Sequence, residues 1–181
     1  MTWQRAVALT GLTAPLHPIV VHFTIALFVT ALVCDLLLAI FGIASLSQVG
    51  WWTLLGSCLT TPATLLTGAA SRIRIPMEEG EARSFLRTHM ALGPALFGLI
   101  ICLTLWRGAL WEAGAAPSSA YLLALIATAA VMTLQGYLGG ELVYRYGAEV
   151  KTRYRELPGH QPRTRQPLVF PHRLPGDRRA M

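Results

Sequence analysis

Long apolar runs alternate with short polar connections along this chain. Four runs stand out, at about residues 18–41, 50–71, 88–106 and 120–142. Each has roughly the 20 residues needed to cross a hydrocarbon core of about 30 Å. The pattern predicts an all-α integral membrane protein, a four-helix antiparallel bundle over residues 16–146. An N-terminal segment, 1–15, precedes it, and a basic Pro/Arg-rich tail, 147–181, follows.

Local signals refine these spans. Pro18 suits a first helical position, where a missing N–H costs nothing, and it biases His17 towards an extended conformation. His17 is thus expected at the helix entrance, with His22 about one turn inside. Residues 42–49 read as an uncharged loop. Trp51 and Trp52 read as an interfacial anchor pair. Pro62, in mid-span, would free the carbonyl of Cys58 and kink the helix, with Thr60 and Thr61 near enough to help satisfy it. Residues 72–87, with four Arg and three Glu, form a polar connection, and residues 107–119 a second turn.

Composition agrees with a membrane protein. Hydrophobic residues make up 54% of the chain and charged residues 13%, against about 25% charged in soluble domains. A net charge of +6 would suggest nucleic acid if it were spread over a soluble surface. Here the basic residues crowd into segments that four spans place on one side: Arg5, then Arg72, Arg74, Arg83 and Arg87, then nine basic residues from Arg145 to Arg179. The opposite side has only Arg107. The positive-inside rule then puts both termini in the cytoplasm of a cell whose inner membrane the protein spans. The first apolar run is too long for the h-region of a cleavable signal. The tail carries prolines at near-regular intervals and lacks the apolar surface to fold alone. Its expected partners are membrane lipid and a larger membrane complex, with no nucleic acid.

Cys34, Cys58 and Cys102 lie in separate spans without a CxxC or CxxCH pattern, and they read as small packing residues. No HExxH, GxSxG or P-loop occurs, so the sequence points away from an enzyme. The acidic group Glu78, Glu79 and Glu81 reads as a solvated loop. Gly136-x-x-x-Gly140 permits close backbone approach, whose usual meaning is packing within a bundle.

The chemistry-bearing residues gather at one end. His17 and His22 open the first span from the side of the termini, and His89 opens the third from the same side. The fourth span returns there with Gln135, Glu141, Tyr144 and Tyr146. A neutral imidazole is a good ligand for haem iron or other transition metals. Two helices each presenting one histidine at similar depth are the minimum for bis-His ligation of a b-type haem, and His22 with His89 is the expected pair. Gly93, one turn from His89, would leave room for the macrocycle, while His17 and Arg72 or Arg87 could meet its propionates. The same histidines read also as groups that cap carbonyls, bond a neighbouring helix or touch headgroups, the ordinary role of a histidine at a helix end, or as ligands of another metal or members of a proton relay. Asp35 stands about 20 Å along the helix from His22, as an interfacial polar residue or part of a proton path.

Leu16-His17-Pro18-x-x-Val21-His22-Phe23, His89 opening the third span, and Gly139-Gly140-Glu141-Leu142-Val143-Tyr144 closing the fourth together resemble the DUF2231 family over residues 14–150. The resemblance implies a four-span bacterial inner-membrane protein, often encoded near redox proteins. Two departures stand out: Thr24 replaces the family's usual proline, and Tyr146 stands where a histidine usually closes the pattern. If that histidine is a ligand in relatives, Tyr146 would take its place, since tyrosine can bind ferric haem. Three functions follow as expectations. The first is an accessory structural subunit of a redox or energy-transducing complex. The second is an electron-transfer protein holding haem b through His22 and His89. The third is a proton or metal-ion transporter using the histidines and Asp35.

Overall fold

The computed structural model describes residues 16–74 and 81–148. The N-terminal segment, the loop acids Glu78 and Glu79 and nearly all of the basic tail lie outside the described residues. Four helices make up the described part: α1 (Leu16–Phe41), α2 (Ser45–Arg74), α3 (Glu81–Glu112) and α4 (Ser119–Tyr144). The all-α bundle expected from the sequence is the fold observed, and the described residues contain no strand. The connections 42–44 and 113–118 are too short for anything but antiparallel neighbours. Gly42 and Gly114 follow α1 and α3 at φ of 68° and 62°, the left-handed conformation that ends a helix most cheaply for glycine. Ser118 caps α4, its hydroxyl accepting from the Tyr121 N–H at 3.2 Å.

The helices run longer than the apolar blocks. Residues 45–49 belong to α2, not to a loop, and α3 starts at Glu81 and continues past Arg107 to Glu112. Hydropathy marks where a helix leaves the hydrocarbon, whereas backbone hydrogen bonding carries it into the polar margin. α2 also continues through Pro62. Thr60 and Thr61 return their hydroxyls to the carbonyls of Gly56 and Ser57, one residue short of Cys58.

Sequence-adjacent helices pack together, and α1 also packs on α4, so α1 and α3 face each other across one diagonal of the bundle. Its centre is Phe28 and Ala31 of α1, Leu54 of α2, Leu96, Ile100 and Leu103 of α3, and Leu125 and Met132 of α4. The outward faces are just as apolar: Phe23 is 60% exposed, Leu66 72% and Leu105 70%. In water such surface would be a liability; in lipid it is the solvent-matched face. By length and composition α1, α3 and α4 can each cross a membrane. α2 falls short of that hydropathy because it is rich in small polar residues, several of which are turned inward. Thr24 of α1 bonds the hydroxyls of Thr60 and Thr64 at 3.0 and 2.9 Å, and Ser57 donates to the Thr24 carbonyl at 3.0 Å. Small and hydroxylated residues let two backbones approach where apolar bulk gives no driving force.

α1 and α3 carry the same spacing on their inner faces. His17, Thr24, Phe28, Ala31 and Asp35 on α1 match His89, Leu96, Ile100, Leu103 and Arg107 on α3, offset for offset. In each set the members beyond the histidine are all buried. The span from first to last member is about five turns of α-helix, or about 27 Å, so each helix turns a polar group inward near both ends of the bundle.

Candidate functional site: a histidine pair across the bundle

At the end that carries the termini, His17 and His89 meet across the diagonal with ring centroids 6.5 Å apart and planes at 85°. Each ring is fixed by a backbone carbonyl of a flanking helix. His17 Nδ1 lies 3.1 Å from the carbonyl oxygen of Thr64 and 3.4 Å from the Thr67 hydroxyl. His89 Nδ1 lies 3.2 Å from the carbonyl oxygen of Gln135. A carbonyl only accepts, so in the neutral rings both Nδ1 atoms carry the hydrogen and both Nε2 atoms present a lone pair. Such a bond on the second nitrogen is how proteins orient imidazole ligands.

Two glycines admit the rings. A Cβ on Gly68 would stand 3.1 Å from Cε1 of His17, and one on Gly139 would stand 3.1 Å from Cε1 of His89. Gln135 completes the site: its side-chain amide donates to the His89 carbonyl at 3.0 Å and lies 3.5 Å from His89 Nε2.

Other residues singled out in the sequence lie elsewhere. His22 points away from the bundle, exposed, and its Nδ1 bonds the Pro18 carbonyl within α1. The ring that meets His89 is therefore that of His17, not of His22. The physical reason is the helical period: α1 already begins at Leu16, so His17 sits within its first turn and in phase with Thr24, Phe28 and Asp35. Gly93 faces the Leu65 side chain and the Gln135 amide, which would stand 3.2 and 3.7 Å from a Cβ at that position. The space expected for a macrocycle there holds these two side chains. Tyr146 lies against Phe85, one turn before His89, with ring centroids 5.7 Å apart and planes tilted by 52°. Tyr144 is 91% exposed. Arg87 is exposed too, and Glu141 pairs with Arg145 at 3.7 Å. Gly136 has nothing near it and Gly140 meets only Tyr144 of its own helix, so Gly139 is the member of this stretch that packs within the bundle.

The opposite end holds a cluster that sequence reasoning leaves unpaired. Asp35 and Arg107 are fully buried and form a forked ion pair. Arg107 Nε donates to both carboxylate oxygens at 3.2 and 3.1 Å, and Nη2 donates to Oδ1 at 3.1 Å. Nη2 also reaches the carbonyl and hydroxyl of Ser47, both at 3.1 Å, while the Tyr121 hydroxyl donates to Asp35 at 3.0 Å. All four helices contribute. A charge this deep is tolerable only with a partner; here the fork and Ser47 engage Nε and Nη2, while the buried Nη1 of Arg107 makes no hydrogen bond among the described residues. The sequence pattern places Arg107 in a turn. Because α3 runs on to Glu112, its side chain faces inward instead.

The donor set at the histidine end suits one kind of metal better than others. Among the described residues no three His, Cys, Asp or Glu side chains gather, and a protein-bound zinc needs three or four. Two imidazoles alone fit a metal that brings its own equatorial ligands, as haem does. An ion bonded at about 2 Å to one nitrogen of each ring would need both Nε2 atoms turned towards it across the 6.5 Å between centroids. A macrocycle would further need Leu65 and Gln135 to leave the Gly93 face.

Fold and surface together define an integral membrane helical-bundle protein with an imidazole pair and a buried ion pair at the two ends of its interior and small hydroxyl side chains between them. Within that class the chain belongs to the DUF2231 family of predicted membrane proteins, whose pattern matches residues 13–152. No curated protein and no solved structure matches it.

Proposed function

We propose that this protein is a four-span inner-membrane subunit, with cytoplasmic termini, that holds a b-type haem between His17 and His89 and passes electrons within a larger complex. The observation that carries the reading is the meeting of two imidazoles whose Nδ1 atoms are both committed to backbone carbonyls, so that ligation would fall to the Nε2 atoms, that of His89 once the Gln135 amide at 3.5 Å withdraws. The haem would supply one-electron transfer. The protein's own part is to fix ring orientation through Thr64 and Gln135, and to exclude water with the apolar layer beyond. Arg107 and Asp35 neutralise each other at the far end, which argues against a transporter cycling a free carboxylate.

The test is a dithionite-reduced minus air-oxidised spectrum of detergent-purified protein expressed with ample haem. Under this reading the wild type shows reducible Soret and α bands. His17→Ala and His89→Ala lose them, and His22→Ala keeps them. A colourless wild type that co-purifies with a partner would overturn the haem reading in favour of a structural subunit whose histidines only tie helices together.

A further inference from the structure

Gln135 grips His89 from two directions. Its main-chain carbonyl receives Nδ1–H at 3.2 Å, and its side-chain Nε2 donates to the His89 carbonyl at 3.0 Å. That bond also fixes the orientation of the amide, because the reversed orientation would set two carbonyl-type oxygens against each other. The same Nε2 then lies 3.5 Å from the His89 Nε2 lone pair. Gln135 Oε1 is buried and makes no hydrogen bond among the described residues. The amide lies over Gly93, where a Cβ would stand at an ordinary contact distance of 3.7 Å from it.

We infer that Gln135 is both the positioning residue for His89 and the gate over it. Its backbone fixes the tautomer that exposes Nε2, and its side chain covers that nitrogen and the Gly93 face until a ligand displaces it. This rests on the proposed histidine site, but the positioning part has its own observable. The buried Oε1 without a partner marks the covering arrangement as incompletely satisfied, and an amide held by one good bond and one long one is displaceable. The main-chain carbonyl stays in place when the side chain leaves, so the ring keeps its orientation through the exchange.

Gln135→Leu keeps size and backbone but removes the amide. The experiment is nitrogen NMR of histidine-labelled, ligand-free protein in detergent, for wild type and Gln135→Leu, followed by hemin titration of both. In the wild type His89 should appear as the Nδ1–H tautomer. In Gln135→Leu that tautomer should persist while the Nε2 resonance moves towards that of an unbonded lone pair, and hemin should bind several-fold faster. An Nε2–H tautomer in the wild type, or an unchanged Nε2 resonance in the variant, would overturn the inference. Equal hemin rates with a shifted resonance would overturn the gate and leave the positioning role. If neither protein binds hemin, the haem reading fails, and the NMR result still decides whether Gln135 positions the ring.

Discussion

Asp35 and Arg107, 72 residues apart in sequence, meet as a fork with neither side chain exposed to any solvent. The pair closes the α1–α3 diagonal at one end of the bundle as His17 and His89 do at the other. Breaking a buried pair by removing one member typically costs about 3–5 kcal/mol, whereas replacing both members with apolar residues is often neutral. Asp35→Leu and Arg107→Leu should therefore each lower the unfolding midpoint in detergent steeply, and the double variant should recover most of the loss. Equal and additive losses would show that the two charges do not act on each other.

Tyr121 donates to Asp35 at 3.0 Å from a fully buried hydroxyl. Hydrogen bonds to a charged acceptor contribute about 1.5–3 kcal/mol. Tyr121→Phe should cost an amount in that range, and the cost should vanish in an Asp35→Leu background. Thermal unfolding of the four proteins of this cycle checks it.

Glycines separate cleanly by what surrounds them. A Cβ on Gly50 would stand 2.6 Å from Asp35 Oδ1, whereas one on Gly136 would meet nothing. Gly50→Ala should destabilise the bundle by about 1–3 kcal/mol, the usual cost of overpacking. Gly136→Ala should be neutral or slightly stabilising, since alanine is the better helix former. The comparison is made in the same detergent, on the same unfolding assay.

Orientation can be read chemically. Ala115 lies in the connection between α3 and α4, and Ala148 follows α4 at the other end. In a cysteine-free background, a membrane-impermeant maleimide applied to intact spheroplasts should label Ala115→Cys and spare Ala148→Cys. Lysis should make both reactive. The reverse order would invert the orientation drawn from the arginines.

The bundle itself is legible in the sequence because apolar blocks of span length have few alternatives, and short connections leave one topology. The pairings are harder. A hydropathy window stops at a charge, so Arg107 reads as the start of a turn, and nothing within one helix reveals that another supplies the counter-ion. One signal is there to be used. Asp35 is the one carboxylate within the first span, which holds no Lys or Arg, and a buried charge must face inward. Counting back from it at helical spacing through Ala31, Phe28 and Thr24 arrives at His17, not His22. The same count back from Arg107 arrives at His89. Thr64 and Gln135, by contrast, contribute main-chain carbonyls to the imidazoles, and main-chain groups leave no trace in residue identity.

The repeated spacing makes α1 and α3 a matched pair of rulers. Losing one residue between His17 and Asp35 would turn the remainder of α1 by about 100° and take the carboxylate off its guanidinium, while a matching loss in α3 would restore neither helix's inward phase. The rulers are joined directly by the ion pair at one end and held through their histidines to α2 and α4 at the other, so neither can tilt alone to suit a thicker or thinner bilayer. Helices usually relieve such mismatch one at a time. This bundle would have to lean as a block, which ties its fit to a membrane whose hydrocarbon depth is close to the distance between its two polar ends.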